Sequence, residues 1–111
     1  MSEAGWRIMW LVCAFDLPVT TALARKRAAK YRLMLLAEGF SMVQNSVYCR
    51  HFSCLADAQR AAVRYGKVVP PNGKVDFYFL TDRQMGVTMS FFGAQSRKEE
   101  IYDAPEQGEL F

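Results

Sequence analysis

The stretch that most constrains this chain is "VCAFDLP", residues 12–18. It closes a dense apolar run, Ile8 to Phe15, and the run ends in a carboxylate, Asp16, before Leu17-Pro18 breaks it. Apolar residues occupy both alternating faces of 7–15, so the segment reads as a central strand covered on both sides. A central strand with an acid at its tip is a rigid mount for that acid.

The segments that follow supply its partners. Pro18 precedes a helical window over 19–38, which Thr20 or Thr21 can cap and Gly39 can close. Arg25, Lys26, Arg27, Lys30 and Arg32 crowd the first half of this window, and "LMLL" makes the second half apolar nearly all round. The helix is therefore expected to be basic where it starts and buried where it ends. "FSMVQ" (40–44) and "VYCRHF" (47–52) read as two strands about an Asn45-Ser46 turn. Ser53 is placed to cap a second helix running to about Tyr65, with Leu55, Ala58, Ala62 and Tyr65 at helical spacing. The "PPNG" turn at 70–73 leads into a strand, "KVDFYFLT" (74–81), and "QMGVTMSFF" (84–92) reads as a fifth strand after Asp82-Arg83.

The order β-α-β-β-α-β plus one strand is an α+β, ferredoxin-like arrangement with an additional C-terminal strand. Two helices on one face of the sheet leave the other face open. Phe77, Phe79, Tyr78, Phe91 and Phe92 are the large apolar candidates for that face, and a surface so apolar is expected to pack on a second copy.

With 111 residues the chain suits one domain, read as 1–93, followed by an acidic tail, 94–111. The 51% hydrophobic content is too high for a disordered chain. No apolar run approaches the roughly 18 residues of a membrane span. "MSEAGWR" lacks the pattern of a signal peptide, and Cys13, Cys49 and Cys54 are an odd number, so a reduced, cytoplasmic protein is expected. Net charge is +3, yet the first 98 residues carry all 14 basic side chains against 6 acidic ones. Five acids, Glu99, Glu100, Asp103, Glu106 and Glu109, fall in the tail. A basic body fits a polyanionic partner, and an acidic tail fits a protein partner or self-masking.

Five segments in this order are similar to one known family. "VCAFDLP", "RKRAAKYRLMLLAEGF", "MVQNSVYCR", "VPPNGKVDFYFLTDRQ" and the strand after it, together covering roughly residues 7–92, resemble the small second subunit of the CRISPR adaptation machinery, the CRISPR-associated endoribonuclease family. "FDLP" and "QNSVY" are most like members that accompany type II systems. The resemblance implies a homodimer with its open sheet faces buried together. It implies Mg²⁺-dependent phosphodiesterase activity in some members, on RNA or DNA, with the strand-one aspartate of each protomer near the two-fold axis. It implies a partner, the CRISPR integrase subunit, whose pairs the dimer bridges while binding duplex prespacer DNA, a role for which nuclease activity can be dispensable.

On that basis Asp16 is the catalytic and metal residue, with Mg²⁺ shared between protomers. A hard cation that keeps several waters suits a carboxylate, and one carboxylate per chain calls for a second copy. The alternative is that Asp16 accepts hydrogen bonds from the amides of the turn that follows. Arg25, Lys26, Arg27, Lys30, Arg50 and Arg64 are candidates for phosphate contact without base reading, against the alternative of a solvated helix face. Cys49, His51 and Cys54 lack a fourth ligand for a metal cluster, and His51 reads as a satisfied or surface histidine. Cys13 reads as core.

In the tail, Ile101, Tyr102, Leu110 and Phe111 read as anchors for a partner's groove, the integrase subunit in the resembling family. Folding back on its own dimer is one rival, and the loose likeness of "QGELF" to sliding-clamp peptides is another. An RNA-recognition module shares the βαββαβ order, but "SVYCRHF" lacks the Lys/Arg-Gly-Phe-Gly-Phe spacing of that class. A small-ligand regulatory domain of the same fold would need a polar ligand loop that is not evident.

Overall fold

The computed structural model describes residues 8–94. The elements are β1 (Met9–Asp16), α1 (Ala22–Ala37), β2 (Ser41–Gln44), β3 (Val47–Phe52), α2 (Leu55–Gly66), β4 (Lys74–Thr81) and a short helix α3 (Asp82–Gly86). The strands form one antiparallel sheet in the order β2-β3-β1-β4, with β1 between β3 and β4. The expected α+β, βαββαβ arrangement is therefore present. No helix among the described residues is long and apolar enough to cross a membrane.

Strand alternation divides the sheet into two faces. Leu11, Cys13 and Phe15 of β1 point under the helices, and Val75, Phe77 and Phe79 of β4 lie opposite them in register and pack on the same core. Ala28, Tyr31 and Leu35 of α1 and Ala58, Ala61 and Tyr65 of α2 close that core from above. Its aromatic contacts are specific. Phe15 stacks on Tyr48 with ring centroids 5.6 Å apart and meets Tyr31 edge-on at 6.1 Å. The buried Tyr31 hydroxyl donates to the Tyr65 carbonyl at 3.0 Å, tying α1 to the end of α2. Cys13 is wholly buried, as its sequence context implied.

Thr21 caps α1, its hydroxyl accepting from the Ala24 amide at 3.0 Å. At the other end Gly39 adopts φ 95°, a left-handed conformation that costs glycine nothing. Its amide reaches the Leu36 carbonyl while the Phe40 amide reaches Leu35, the paired bonds of a Schellman stop.

Several expectations are corrected. Residues 84–86 are helical, because Thr81 and Gln84 bond reciprocally in a capping box that starts α3, and 87–94 form no strand in this chain. Phe77 and Phe79 lie on the helix side, and Tyr78, alternating with them, is the β4 aromatic on the open face. Ser53 does not cap α2. Cys54 holds that position, and the Ser53 hydroxyl donates to Asp57 at 3.2 Å instead. On α2 the buried stripe runs through Ala58, Ala61 and Tyr65, leaving Leu55 exposed. The second half of α1 is only partly buried: Leu35 is enclosed, but Leu33 and Leu36 face solvent.

Candidate active site

Asp16 is the last residue of β1 and is exposed. Its neighbours in sequence fix it from the opposite face. Phe15 and Leu17 are both buried in the core. The turn before β4 closes tightly under Leu17: a β-carbon built on Gly73 would lie 2.6 Å from Leu17 Cδ2 and 3.1 Å from the Pro70 carbonyl. The Gly73 amide donates to that same carbonyl at 3.0 Å, and Asn72 takes φ 65° to complete the turn. The "FDLP" pattern thus clamps two apolar side chains inward and leaves the carboxylate between them on the helix-free face.

That face also carries Trp10, Val12 and Ala14 of β1, Val47, Cys49 and His51 of β3, and Lys74, Asp76, Tyr78 and Leu80 of β4, by register and alternation. Lys74 lies directly opposite Asp16. Its ammonium nevertheless sits 3.5 Å from Asp76 Oδ2, two residues along its own strand. Among the described residues the Asp16 carboxylate has no hydrogen-bond or ion-pair partner, so the turn amides do not occupy it. Lys74 and Asp76 were not singled out from the sequence. The alternation of "KVDFYFLT" places them on one face, but only the long-range pairing of β4 with β1 sets them beside Asp16.

The donor set is suited to Mg²⁺ in kind and short in number. A carboxylate free of competing bonds is the hard oxygen ligand this ion takes, and one or two such groups beside retained water are its usual protein contribution. Among the described residues no group of three His, Cys, Asp or Glu side chains converges. Asp16 fits as one ligand, and a second chain supplying another would complete the pair.

The basic candidates do not form one surface. Arg25, Lys26, Arg27 and Lys30 are all exposed near the start of α1, a few residues beyond Asp16. Helical spacing puts Arg27 and Lys30 on one flank with Met34, and Arg25 on the other with Arg32. Arg25 donates to the Val19 carbonyl at 3.1 Å. Arg50 and Arg64 are elsewhere. Arg50 pairs with Leu11 in register, so it lies about 17 Å from Asp16 along β1. It donates to the Glu38 carbonyl at 2.8 Å, at the C-terminus of α1, and its guanidinium lies 4.4 Å above the Phe52 ring. Arg64 lies over Tyr65 and donates to its hydroxyl at 3.2 Å, while that hydroxyl donates to Glu38 Oε1 at 3.1 Å. Arg50 thus ties β3 to the end of α1, while Arg64 is exposed and reaches only its sequence neighbour Tyr65.

At the other end of the open face, His51 stacks on Trp10 with centroids 5.1 Å apart, and the Trp10 indole donates to Asp82 at 2.7 Å. The surface histidine expected from the sequence is thus an aromatic partner. Burial raises the Cys13 thiol to about 12 and pushes Cys49 upward, so neither supplies a thiolate near neutrality. Ile101, Tyr102, Leu110 and Phe111 lie outside the described residues.

Comparison with known proteins bears on this arrangement. The sequence model of the family described as "CRISPR associated protein Cas2" matches residues 9–87, which span every strand and helix above. A protein of Parvibaculum lavamentivorans named "CRISPR-associated endoribonuclease Cas2" is 40% identical over 103 residues, covering 93% of this chain and all of that one. One of the same name from Paracidovorax avenae is 38% identical, covering 96% of this chain and 97% of its own length. Among solved structures, Cas2 of Streptococcus pyogenes superposes with a TM-score of 0.59 at 18% identity, over 75% of this chain and 99% of that one, a likeness of fold.

Proposed function

The chain belongs to the CRISPR-associated Cas2 family, and from that premise we propose that it is a dimeric subunit of CRISPR adaptation that binds nucleic-acid backbone and hydrolyses phosphodiester bonds at a site built on Asp16. The observation that carries this is the carboxylate itself: rigidly mounted on the central strand, free of other bonds among the described residues and exposed on the helix-free face. The names of its relatives favour RNA as a substrate of cleavage. The exposed cations of α1 favour duplex prespacer DNA as a bound partner, through phosphates alone. The "FDLP" and "QNSVY" elements favour a type II system as its setting.

What one chain leaves uncovered supports dimerisation. β4 is one edge of the sheet, opposite β2, so its outer backbone groups lack a strand partner among the described residues. Directly after it, Val87, Met89, Phe91 and Phe92 are each at least 73% exposed. These features, with Tyr78 on the open face, suit a second copy and would bring two Asp16 side chains into one seam. Asp16 of each protomer would hold the Mg²⁺. When bound, the ion would supply charge to stabilise the oxyanion that develops and would polarise the attacking water. The chain's own task is to fix the carboxylate, which Phe15 and Leu17 do, and to place a cation, Lys74, beside it to meet substrate phosphate. The integrase subunit is the partner for the assembled dimer, with Ile101, Tyr102, Leu110 and Phe111 as its docking residues. Sedimentation equilibrium at micromolar concentration tests the assembly. A dimer is expected; a stable monomer removes the second aspartate and with it the site.

One observation favours a second reading. Trp10 and His51 are cross-strand neighbours on β1 and β3 of the open face, where an RNA-recognition module of the same fold stacks bases. That reading requires the face to stay open. It predicts a monomer whose affinity for single-stranded RNA falls on Trp10→Ala, whereas a dimer indifferent to that change excludes it.

A further inference from the structure

A cleft between α1 and the segment leading to the "PPNG" turn has no role in the site above. It encloses about 390 Å³, with Tyr31, Met34, Val68 and Val69 forming an apolar floor and Arg27 and Lys30 at its side. A hollow of about 200 Å³ continues it past Arg27 towards Thr20 and Thr21. Among the described residues no acidic side chain lines either one. Apolar surface beside two unopposed cations calls for an occupant that is both greasy and acidic.

The chain carries such a segment. Residues 99–111 hold five acids, no lysine or arginine, and two apolar pairs, Ile101-Tyr102 and Leu110-Phe111. The segment lies outside the described residues, which end at Ala94. Seventeen further residues can extend about 56–61 Å, and a folded body of this size has a diameter on the order of 35 Å. The cleft is therefore within reach. Residues 87–94 contain no acid to meet Arg27 and Lys30. Nucleic acid would satisfy those cations and leave Met34 and Val68 uncovered.

We propose that residues 99–111 dock in this cleft, with Leu110 and Phe111 on the Met34, Val68 and Val69 floor and Glu106 and Glu109 beside Arg27 and Lys30. The docked segment shields two of the cations that face nucleic acid and gives them up when phosphate competes. Displacement at the same time frees the apolar anchors for another protein, so backbone binding and partner docking become coupled.

Amide-resolved NMR spectra of the full-length chain test the docking without reference to nucleic acid. Leu110→Ser/Phe111→Ser should shift the amides of residues 30–34, 68 and 69. Raising ionic strength to about 1 M, where the Debye length is ~3 Å, should reproduce part of the change. Differences confined to the tail, or centred on another surface, overturn the proposal. Shielding is read separately, with Glu106→Gln/Glu109→Gln in the full chain. Duplex DNA affinity should rise about fivefold at low salt, as two exposed ion pairs would give, and converge with wild type at high salt. Equal affinities at low salt overturn the shielding. A chain that binds no duplex at all instead fails the proposed function, and the spectra still decide the docking.

Discussion

Replacing Arg50 separates a structural arginine from a nucleic-acid contact. Its guanidinium caps the C-terminus of α1 through the Glu38 carbonyl at 2.8 Å and covers the Phe52 ring at 4.4 Å. It also runs beside Gly39, where a β-carbon would lie 3.6 Å from Nε, so the side chain lies across the helix stop. A hydrogen bond from a charged donor contributes about 1.5–3 kcal/mol, and an exposed cation–π contact about 0.5–1 kcal/mol. Solvent access to this half-buried group and the overlap of the two terms bring the expected loss for Arg50→Ala to about 2 kcal/mol. For a domain of this size that lowers Tm by roughly 8–16 °C. Arg50→Lys should fall between, since an ammonium can reach the carbonyl but lacks the planar group that lies over Phe52. Differential scanning calorimetry reads the shift, and duplex binding is measured in parallel well below the lower Tm. The expected result is a destabilised protein whose affinity, per folded molecule, is unchanged. An unchanged Tm with weakened binding would refute the structural assignment and return Arg50 to the nucleic-acid surface.

Other outcomes follow from the same packing. Leu35→Ala empties a fully enclosed position in the core and should cost about 2–5 kcal/mol in urea unfolding; a cost under about 1 kcal/mol would mean that α1 is not docked as described. Burial raises Cys13 from 9.0 to about 12 and, with smaller contributions from Cys13 and Tyr65, raises Tyr31 above its ordinary 10.0. Both groups are neutral when protonated and bind protons more tightly in the folded chain. Their contribution is therefore whole below about pH 9 and declines as pH rises towards 12. Unfolding midpoints should be flat across pH 7–8.5 in this respect and fall above about pH 9, and Cys13→Ala should flatten the early part of that fall. Neutralising Arg25, Lys26 and Arg27 together should weaken duplex binding alike for unrelated sequences. It should also flatten the salt dependence by about 0.9 log units per decade for each phosphate no longer neutralised. An unchanged slope would make them a solvated helix face.

Local chemistry made much of this fold legible. Thr21, Gly39 and the "PPNG" turn mark boundaries by near-neighbour bonds, and β3 and β4 fall where alternation and turns placed them. Asp16 was legible as an exposed acid because Phe15, Leu17 and Pro18 surround it with residues that cannot share its face. What sequence periodicity missed depends on distant partners. "QMGV" alternates like a strand, but the reciprocal Thr81–Gln84 bonds form within one turn and start a helix first. Phe77, Tyr78 and Phe79 cannot all share a face, and only their register against β1 decides which pair goes inward. Arg50 looks like a free cation in sequence because the Glu38 carbonyl reaches it only through the packing of β3 against the end of α1. Lys74 and Asp76 were missed for the same reason.

The most direct test of the proposed site is cleavage by Asp16→Asn, an isosteric change at an exposed residue that leaves the core untouched. Labelled single-stranded RNA and duplex DNA are incubated with the wild-type and variant proteins, each with Mg²⁺ and with a chelator in excess. Cleavage by the wild type is expected only with Mg²⁺, and it should disappear in Asp16→Asn with unchanged Tm and unchanged mass in solution. Cleavage that survives the substitution or the chelator, or a wild type inert towards both substrates, would contradict a phosphodiesterase site built on Asp16.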